Sequence, residues 1–444
     1  MDAPQQPLIE KITRPVNAFI RQEKSGGIVL FCSVVLALFL ANSPWAASYF
    51  HFFEHTFGFY FDGKVYLEYN LHHWINDGLM AIFFFVVGLE LKREIVGGEL
   101  SNPRQAILPI AAALGGMIVP ASIYLLFNPS GEVHAGWGIP MATDIAFALG
   151  IVYFLGNKVP VSLKVFLTAL AIVDDLGAVL VIAFFYTSDI SIANLLTGFG
   201  FLAVMYLGNK AGIRNVLFYA ILGILGLWTA FLLSGVHATI AAVLAAFTIP
   251  ADVRIKESLY IDKISDYLKH FRQIDPDDKT PTLSSEQLSI LENIKQSTAM
   301  AMTPLQKLEH AMHPFVTFII IPIFALANAG VTLDFDPEKL FSTHVILGVG
   351  LGLLVGKVVG VVGATLLMIK LKVASFPKGM NIRNLFGLGL LASIGFTMSL
   401  FVTALAFSHE EYIIQAKVGI FSASIIGGIL GYFVLSSIAK RNPS

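Results

Sequence analysis

Charge is what this sequence has least of. Asp, Glu, Lys and Arg make up 13% of its 444 residues, against roughly 25% in soluble domains, too few to cover a water-facing surface. A net charge of −1 and a pI near 6.8 provide no basic face, so no nucleic-acid partner is expected. The single cysteine, Cys32, leaves no disulfide to form and lies in an apolar run, where a structural thiol is expected. Hydrocarbon is there instead. Hydrophobic residues make up 56% of the chain and the mean hydropathy is +0.74. Apolar runs of about 18 residues or more, the length of a bilayer-spanning helix, recur throughout.

Reading those runs against charged or Gly/Pro-rich breaks predicts an all-α integral membrane protein with about twelve transmembrane helices. They fall near 25–44, 73–91, 104–126, 136–155, 161–186, 192–209, 214–230, 232–249, 306–329, 344–369, 383–407 and 412–438. Residues 1–24 form a polar leader, 25–249 hold helices one to eight, 250–305 form a long hydrophilic loop, 306–439 hold helices nine to twelve, and 440–444 form a tail. Between the first two spans, near 46–72, Tyr60-Phe61-Asp62-Gly63-Lys64-Val65-Tyr66 predicts a hairpin turn between aromatic strands. A homodimer joined through that hairpin is expected, and membrane lipid is the surrounding partner. In the long loop, Ser284-Ser285-Glu286-Gln287 predicts a capping box opening a surface helix with Leu288, Leu291 and Ile294 on one face.

The first apolar run, Gly26 to Ala41, also has the look of a signal peptide. The long polar leader and the charge distribution favour an uncleaved helix. With a cytoplasmic N-terminus, 25 of the 29 lysines and arginines fall on the inner side, leaving Lys64 and Lys339 outside and Lys357 and Lys417 in or beside spans. Both termini and the 250–305 loop are therefore expected in the cytoplasm of a bacterial cell, the spans crossing its inner membrane.

Spans three to five and ten to twelve must run in opposite directions, being seven spans apart. The middle member of each is interrupted, by Gly136, Gly138, Pro140 and Gly150 in one and by Gly387, Gly389 and Gly395 in the other. That predicts two inverted-topology three-helix repeats whose broken helices cross at mid-membrane.

Charged side chains at the bilayer centre cost about 2.5–3.5 kcal/mol each on insertion scales. Asp144, Asp174, Asp175 and Lys357 nonetheless lie near the centres of their spans. Adjacent aspartates on a helix point about 100° apart, so one of the 174–175 pair can face a cation while the other meets Lys357 or Thr143. Burial and a like-charged neighbour penalise the ionised carboxyl; such a group holds a proton or a hard cation, not both, and mutually exclusive occupancy is antiport in its simplest form. A cluster that merely ties helices together would not keep surplus buried negative charge. Broken helices expose partial charges, and Asp144 is placed to neutralise facing N-termini, Lys357 facing C-termini.

Three rival readings use some of the same features. His51-Phe52-Phe53-Glu54-His55 matches the inverted zincin pattern of a metalloprotease. An intramembrane aspartyl protease would place its two aspartates on separate helices, whereas 174 and 175 are adjacent. A sodium/solute symporter would share the buried carboxylates. Glu90 to Glu94 also reads as a charged helix end, and His237 as a packed core histidine.

The chain resembles the NhaA family of sodium/proton antiporters, from the second span to the eleventh and in family order. The resemblance rests on Trp74-Ile75-Asn76-Asp77 through Gly88-Leu89-Glu90-Leu91-Lys92-Arg93-Glu94, on Ala142-Thr143-Asp144-Ile145-Ala146-Phe147-Ala148-Leu149-Gly150, and on Ala171 to Gly177. It extends to Ser234-Gly235-Val236-His237-Ala238-Thr239, Leu308-Glu309-His310 with His313-Pro314, Gly356-Lys357, and Gly395-Phe396-Thr397-Met398-Ser399. This family is itself a known example of inverted repeats with broken helices. The resemblance implies a secondary transporter, not an enzyme, that exchanges Na⁺ or Li⁺ for H⁺, is electrogenic and pH-regulated, and has no cofactor. Asp174 and Asp175 would bind the ion and carry protons, Asp175 as principal ligand and Asp174 as partner of Lys357, with Thr143 and Asp144 as neighbours. A pH-sensing group on the cytoplasmic side would comprise Glu90, Arg93, Glu94, His237, Glu309 and His313.

Overall fold

The computed structural model describes residues 25–62, 64–156, 159–187, 190–274, 282–332 and 344–441. The leader 1–24, its four basic residues, Gly63, Lys158 and Lys339 lie outside the described residues.

Helix α1, Ser25–Ala41, turns by 112° into the short aromatic α2, Ala46–Glu54. An antiparallel hairpin follows, β1 Thr56–Phe61 and β2 Lys64–Asn70, with Phe61 opposite Lys64 and Asp62 at φ +48° in the turn. Helix α3 spans 71–97 and contains a wide π turn at Trp74–Leu79. Helix α4, Pro103–Phe127, starts with Pro103 where an N–H would go unpaired and with Asn102 accepting from Arg104 N. Then come the interrupted Glu132–Leu155, α6 Val161–Phe185, α7 Ile192–Lys210, α8 Val216–Leu232 and α9 Ala238–Thr248. The helical part of the interrupted segment, Ile145–Leu155, is α5.

The 250–305 region holds two helices where one was expected. They are α10, Glu257–Gln273, and α11, Ser285–Ala301, which pack together and share a Tyr260–Thr298 hydroxyl contact of 3.0 Å. The capping box of α11 is present: Ser284 Oγ accepts from Gln287 N at 3.1 Å and Gln287 Oε1 from Ser284 N at 2.9 Å. Its inward face differs from the expected one. Ile290 and Ser297 are buried, whereas Leu288 and Leu291 are exposed and Ile294 is half-buried.

The last third contains α12, Pro304–Asn328, α13, His344–Lys370, α14, Ile382–Ala392, α15, Phe396–Ala406, and the long α16, Glu410–Arg441. Among the described residues seven helices are long and apolar enough to cross a membrane, or up to nine if each bent pair is one span, with α8 and α9 as shorter apolar helices. This is a multi-pass membrane protein. Cys32 points outward from α1, not into the core.

Small residues set the closest packing, as they do where lipid supplies no hydrophobic drive between helices. Helices α4 and α13 touch backbone to backbone: a Cβ on Gly360 would strike the Gly115 carbonyl, and one on Gly356 would sit 2.7 Å from Pro120 Cα. That contact fixes α13, and with it Lys357, against the bundle. Gly360→Val should force the helices apart, at about 1–3 kcal/mol, and lower Tm in detergent. Gly363→Val, where nothing lies within 4 Å, should leave Tm unchanged or higher.

Candidate functional site

Two interrupted helices cross in the interior. The first enters as 3-10 turns over Glu132–Met141, breaks at Ala142-Thr143-Asp144 and continues as α5. Pro140 lacks the N–H an α-helix would need there, and two tyrosines hold the entry segment. Tyr124 Oη donates to Val133 O at 2.6 Å, and Tyr186 Oη donates to Ala135 O at 2.6 Å and accepts from Gly138 N at 3.2 Å. The second breaks at 393–395 between α14 and α15, with a 44° bend.

Asp144 joins the two breaks. Its Oδ1 accepts from Phe147 N at 3.1 Å, capping α5, and its Oδ2 accepts from Thr397 N at 3.0 Å and from the Thr397 hydroxyl, capping α15. One buried carboxylate thus serves two helix N-termini, each carrying roughly half a positive charge. Across the same gap Asp144 N donates to Ile394 O at 2.6 Å and Thr143 Oγ1 to Ala392 O at 2.9 Å. The carbonyls ending α14 are therefore met by Thr143 and by the Asp144 backbone. Lys357, expected there and also as the partner of Asp174, makes the second contact: its Nζ donates to Asp174 Oδ2 in a pair buried on both sides.

Asp175 is different. It is 2% exposed, and its Oδ1 is buried with no hydrogen-bond partner. It lies on α6 beside Asp174, in the field of Asp144, Lys357 and Glu90. The structure thus brings Thr143, Asp144, Asp174, Asp175 and Lys357 together and gives the three carboxylates different surroundings. Asp144 is committed to helix ends and Asp174 gives Oδ2 to the lysine, while Oδ1 of Asp174 and Oδ1 of Asp175 are both buried without a hydrogen-bond partner. Lys357 follows a π turn, Gly352–Gly356, whose extra residue per turn shifts the side chain's direction.

A second charged group lies at the end of α3. Arg93 pairs with Glu94 at 3.1 Å and, across to α12, with Glu309 at 3.0 Å; Glu90 feels all three charges. His313 lies one turn beyond Glu309 on α12 and is exposed. His237 does not belong to this group. Its Nε2 is 2.8 Å from Tyr186 O, and it acts on Asp77, near the start of α3. Sixteen helical residues separate Asp77 from Arg93, roughly 24 Å at 1.5 Å each.

The zincin-like residues are held by local contacts. His55 Nδ1 contacts the carbonyls of His51 and Phe52, and among the described residues no three His, Cys, Asp or Glu side chains are grouped to hold a metal ion. Thr397 and Ser399 were quoted from the sequence without a role. Ser399 Oγ bonds Ile139 O at 2.8 Å, so both hydroxyls tie the two broken helices together. Hydroxyl residues two and four positions after Gly395, at the opening of a helix, were the available signal.

Interrupted helices crossing around buried carboxylates define a class, the multi-pass membrane proteins that carry ions through sites of ionisable side chains. The family model described as "Na+/H+ antiporter 1" matches residues 17–435. The "Na(+)/H(+) antiporter NhaA" of Oleidesulfovibrio alaskensis is 50% identical over 439 residues, 98% of this chain and 96% of that protein. The "Na(+)/H(+) antiporter NhaA 2" of Syntrophotalea carbinolica is 47% identical over 97% of this chain and 98% of its own length. The "Na(+)/H(+) antiporter NhaA 1" of Saccharophagus degradans is 46% identical over 96% and 92%. The chain belongs to the NhaA family of sodium/proton antiporters.

The Asp174–Lys357 pair should behave as a coupled unit. Lys357→Met alone strands a buried carboxylate and should cost about 3–5 kcal/mol, read as a large loss of Tm in detergent. Adding Asp174→Asn should recover most of it; additive losses would show that the two side chains do not share one interaction.

Proposed function

We propose that this chain is a secondary transporter, not an enzyme, that exchanges Na⁺ or Li⁺ for H⁺ across the bacterial inner membrane. The two cargoes compete for one seat at Asp175. The observation carrying the reading is two adjacent buried aspartates whose Oδ1 atoms both lack a hydrogen-bond partner, Asp174 alone giving its other oxygen to Lys357.

Charge balance explains why one monovalent cation fits. Two helix N-termini supply roughly one positive charge, enough to offset Asp144. Lys357 offsets Asp174. Asp175 remains with a surplus negative charge that a proton or a sodium ion can neutralise, each excluding the other. Asp174 and Thr143 lie beside this seat as further ligands. Asp144 shapes the seat instead of contacting the ion while its oxygens cap α5 and α15. Electrogenic exchange requires more protons than sodium ions, and the Asp174–Lys357 pair is the group placed to carry the second one.

The same reading includes twelve spans in two inverted repeats, both termini and the 250–305 region in the cytoplasm, and a homodimer joined through the β1–β2 hairpin. It assigns pH regulation to Glu90, Arg93, Glu94, Glu309 and His313, with His237 left out on its position. The Arg93–Glu309 pair supports this, because it ties α3 to α12 through groups that protonation would uncouple.

In proteoliposomes with an internal pH dye, added Na⁺ should move protons in the native protein. Asp175→Asn, which keeps the side chain's shape and loses its charge, should abolish the response. Sodium-evoked proton movement that survives this substitution would overturn the assignment.

A further inference from the structure

One large apolar space is not used by the ion site, yet it ends against it. A slot of about 890 Å³ runs between α1, α5 and α16, and its inner wall is Phe147, Ile394 and Phe396. These are residues of the crossing itself. Phe147 N is held by Asp144, Ile394 O accepts from Asp144 N, and Phe396 opens α15. Phe396 packs edge-on against Phe147 at 5.1 Å and tilted against Phe421 at 5.2 Å.

The dimensions point to one occupant. On α1 the lining runs from Gly27 to Leu38, and on α16 from Phe421 to Phe433. At 1.5 Å per residue these are roughly 17 and 18 Å, close to half of a hydrocarbon core about 30 Å thick. The slot is thus about one leaflet deep. Its mouth is apolar and open, with Phe31, Phe154, Ile425 and Phe433 all more than half exposed. Gly27 and Gly150 face each other across its wall and leave space where side chains would close it. Apart from the Ser424 hydroxyl and the Tyr432 phenol the lining is hydrocarbon, so water has few partners there.

We propose that this slot is a binding site for one acyl chain of a membrane phospholipid. The chain enters from the leaflet at the Gly27, Phe154 and Phe433 end and rests its terminal carbons on Ile394 and Phe396. That end is the cytoplasmic one in the orientation given above; the binding itself does not depend on the transport reading. A chain seated there backs the aromatic cluster behind Asp144, so the bilayer touches the crossing that any movement of the broken helices must rearrange.

Photolabelling of the full chain tests this. The protein is reconstituted in phosphatidylethanolamine vesicles doped with a phosphatidylethanolamine bearing a diazirine at either the upper or the terminal carbons of one acyl chain. Labelled peptides are then mapped. The terminal probe should label the buried Ile394–Phe396 segment, and the upper probe Phe154 and Phe433. Gly428→Leu should cut labelling of 394–396 several-fold while leaving labelling of the lipid-facing α7 residues Leu196 and Leu207 intact. A Cβ at Gly428 meets Ile151 and Ile394 only at 3.4–3.5 Å, so the longer side chain has the slot to grow into. Ile425→Trp, which narrows the mouth from its exposed side, serves if the first variant fails to fold. Labelling of 394–396 no denser than that of other buried segments would overturn the proposal. So would crosslinks from the slot to residues 1–24 or to a second protomer, which would make either of those the occupant.

Discussion

The architecture depends on one carboxylate shared between two helix ends. Asp144 accepts from the first turn of α5 and from the first turn of α15, while its own backbone N–H closes onto the end of α14. In hydrocarbon, broken helices leave peptide groups that no water can satisfy. Each break here is met by the other: Thr143 and Asp144 serve the carbonyls of one chain segment, and Thr397 and Ser399 tie back to the other. Two interruptions, each costly alone, are stable as a crossed pair.

That arrangement has an electrostatic consequence for the neighbouring helix. The positive ends of α5 and α15 are spent on Asp144, and Lys357 is spent on Asp174. Asp175, on the same helix as Asp174 and one residue along, is left with neither. The roughly 100° between adjacent helical residues points the two aspartates apart, and Asp174 is the one that meets Lys357. Tight backbone contact between α4 and α13 holds the lysine in register, because no Cβ intervenes at Gly115 or Gly360. The surroundings of Asp175 therefore rest on geometry several helices away.

The charged group at the far end of α3 uses the same helix as a lever arm. Glu90, Arg93 and Glu94 lie at its end, where Arg93 reaches Glu309 of α12 just beyond the α10–α11 hairpin. Lys307, two residues earlier, donates to Ala299 O at the close of α11. The hairpin is therefore joined to the strand of contacts that includes the Arg93 pair.

Much of this was legible in the residue order, for a physical reason in each case. Membrane spanning is a property of apolar runs, so hydropathy reveals it. A charge inside such a run is too costly to be incidental, so Asp144, Asp174, Asp175 and Lys357 identified themselves. The Ser284–Gln287 capping box is local and needed no tertiary partner. What stayed hidden depends on which distant segments meet. Lys357 was expected both at helix C-termini and at Asp174, 183 residues away, and packing selected the second. The roles of Thr397 and Ser399, the separation of His237 from Arg93, the buried stripe of α11 and the slot behind Phe396 all follow from packing between helices. Sequence alone determined which groups had to be paid for in the membrane; the tertiary structure decided which partner satisfied each one, because hydrogen bonds and ion pairs act over a few ångströms between residues hundreds of positions apart.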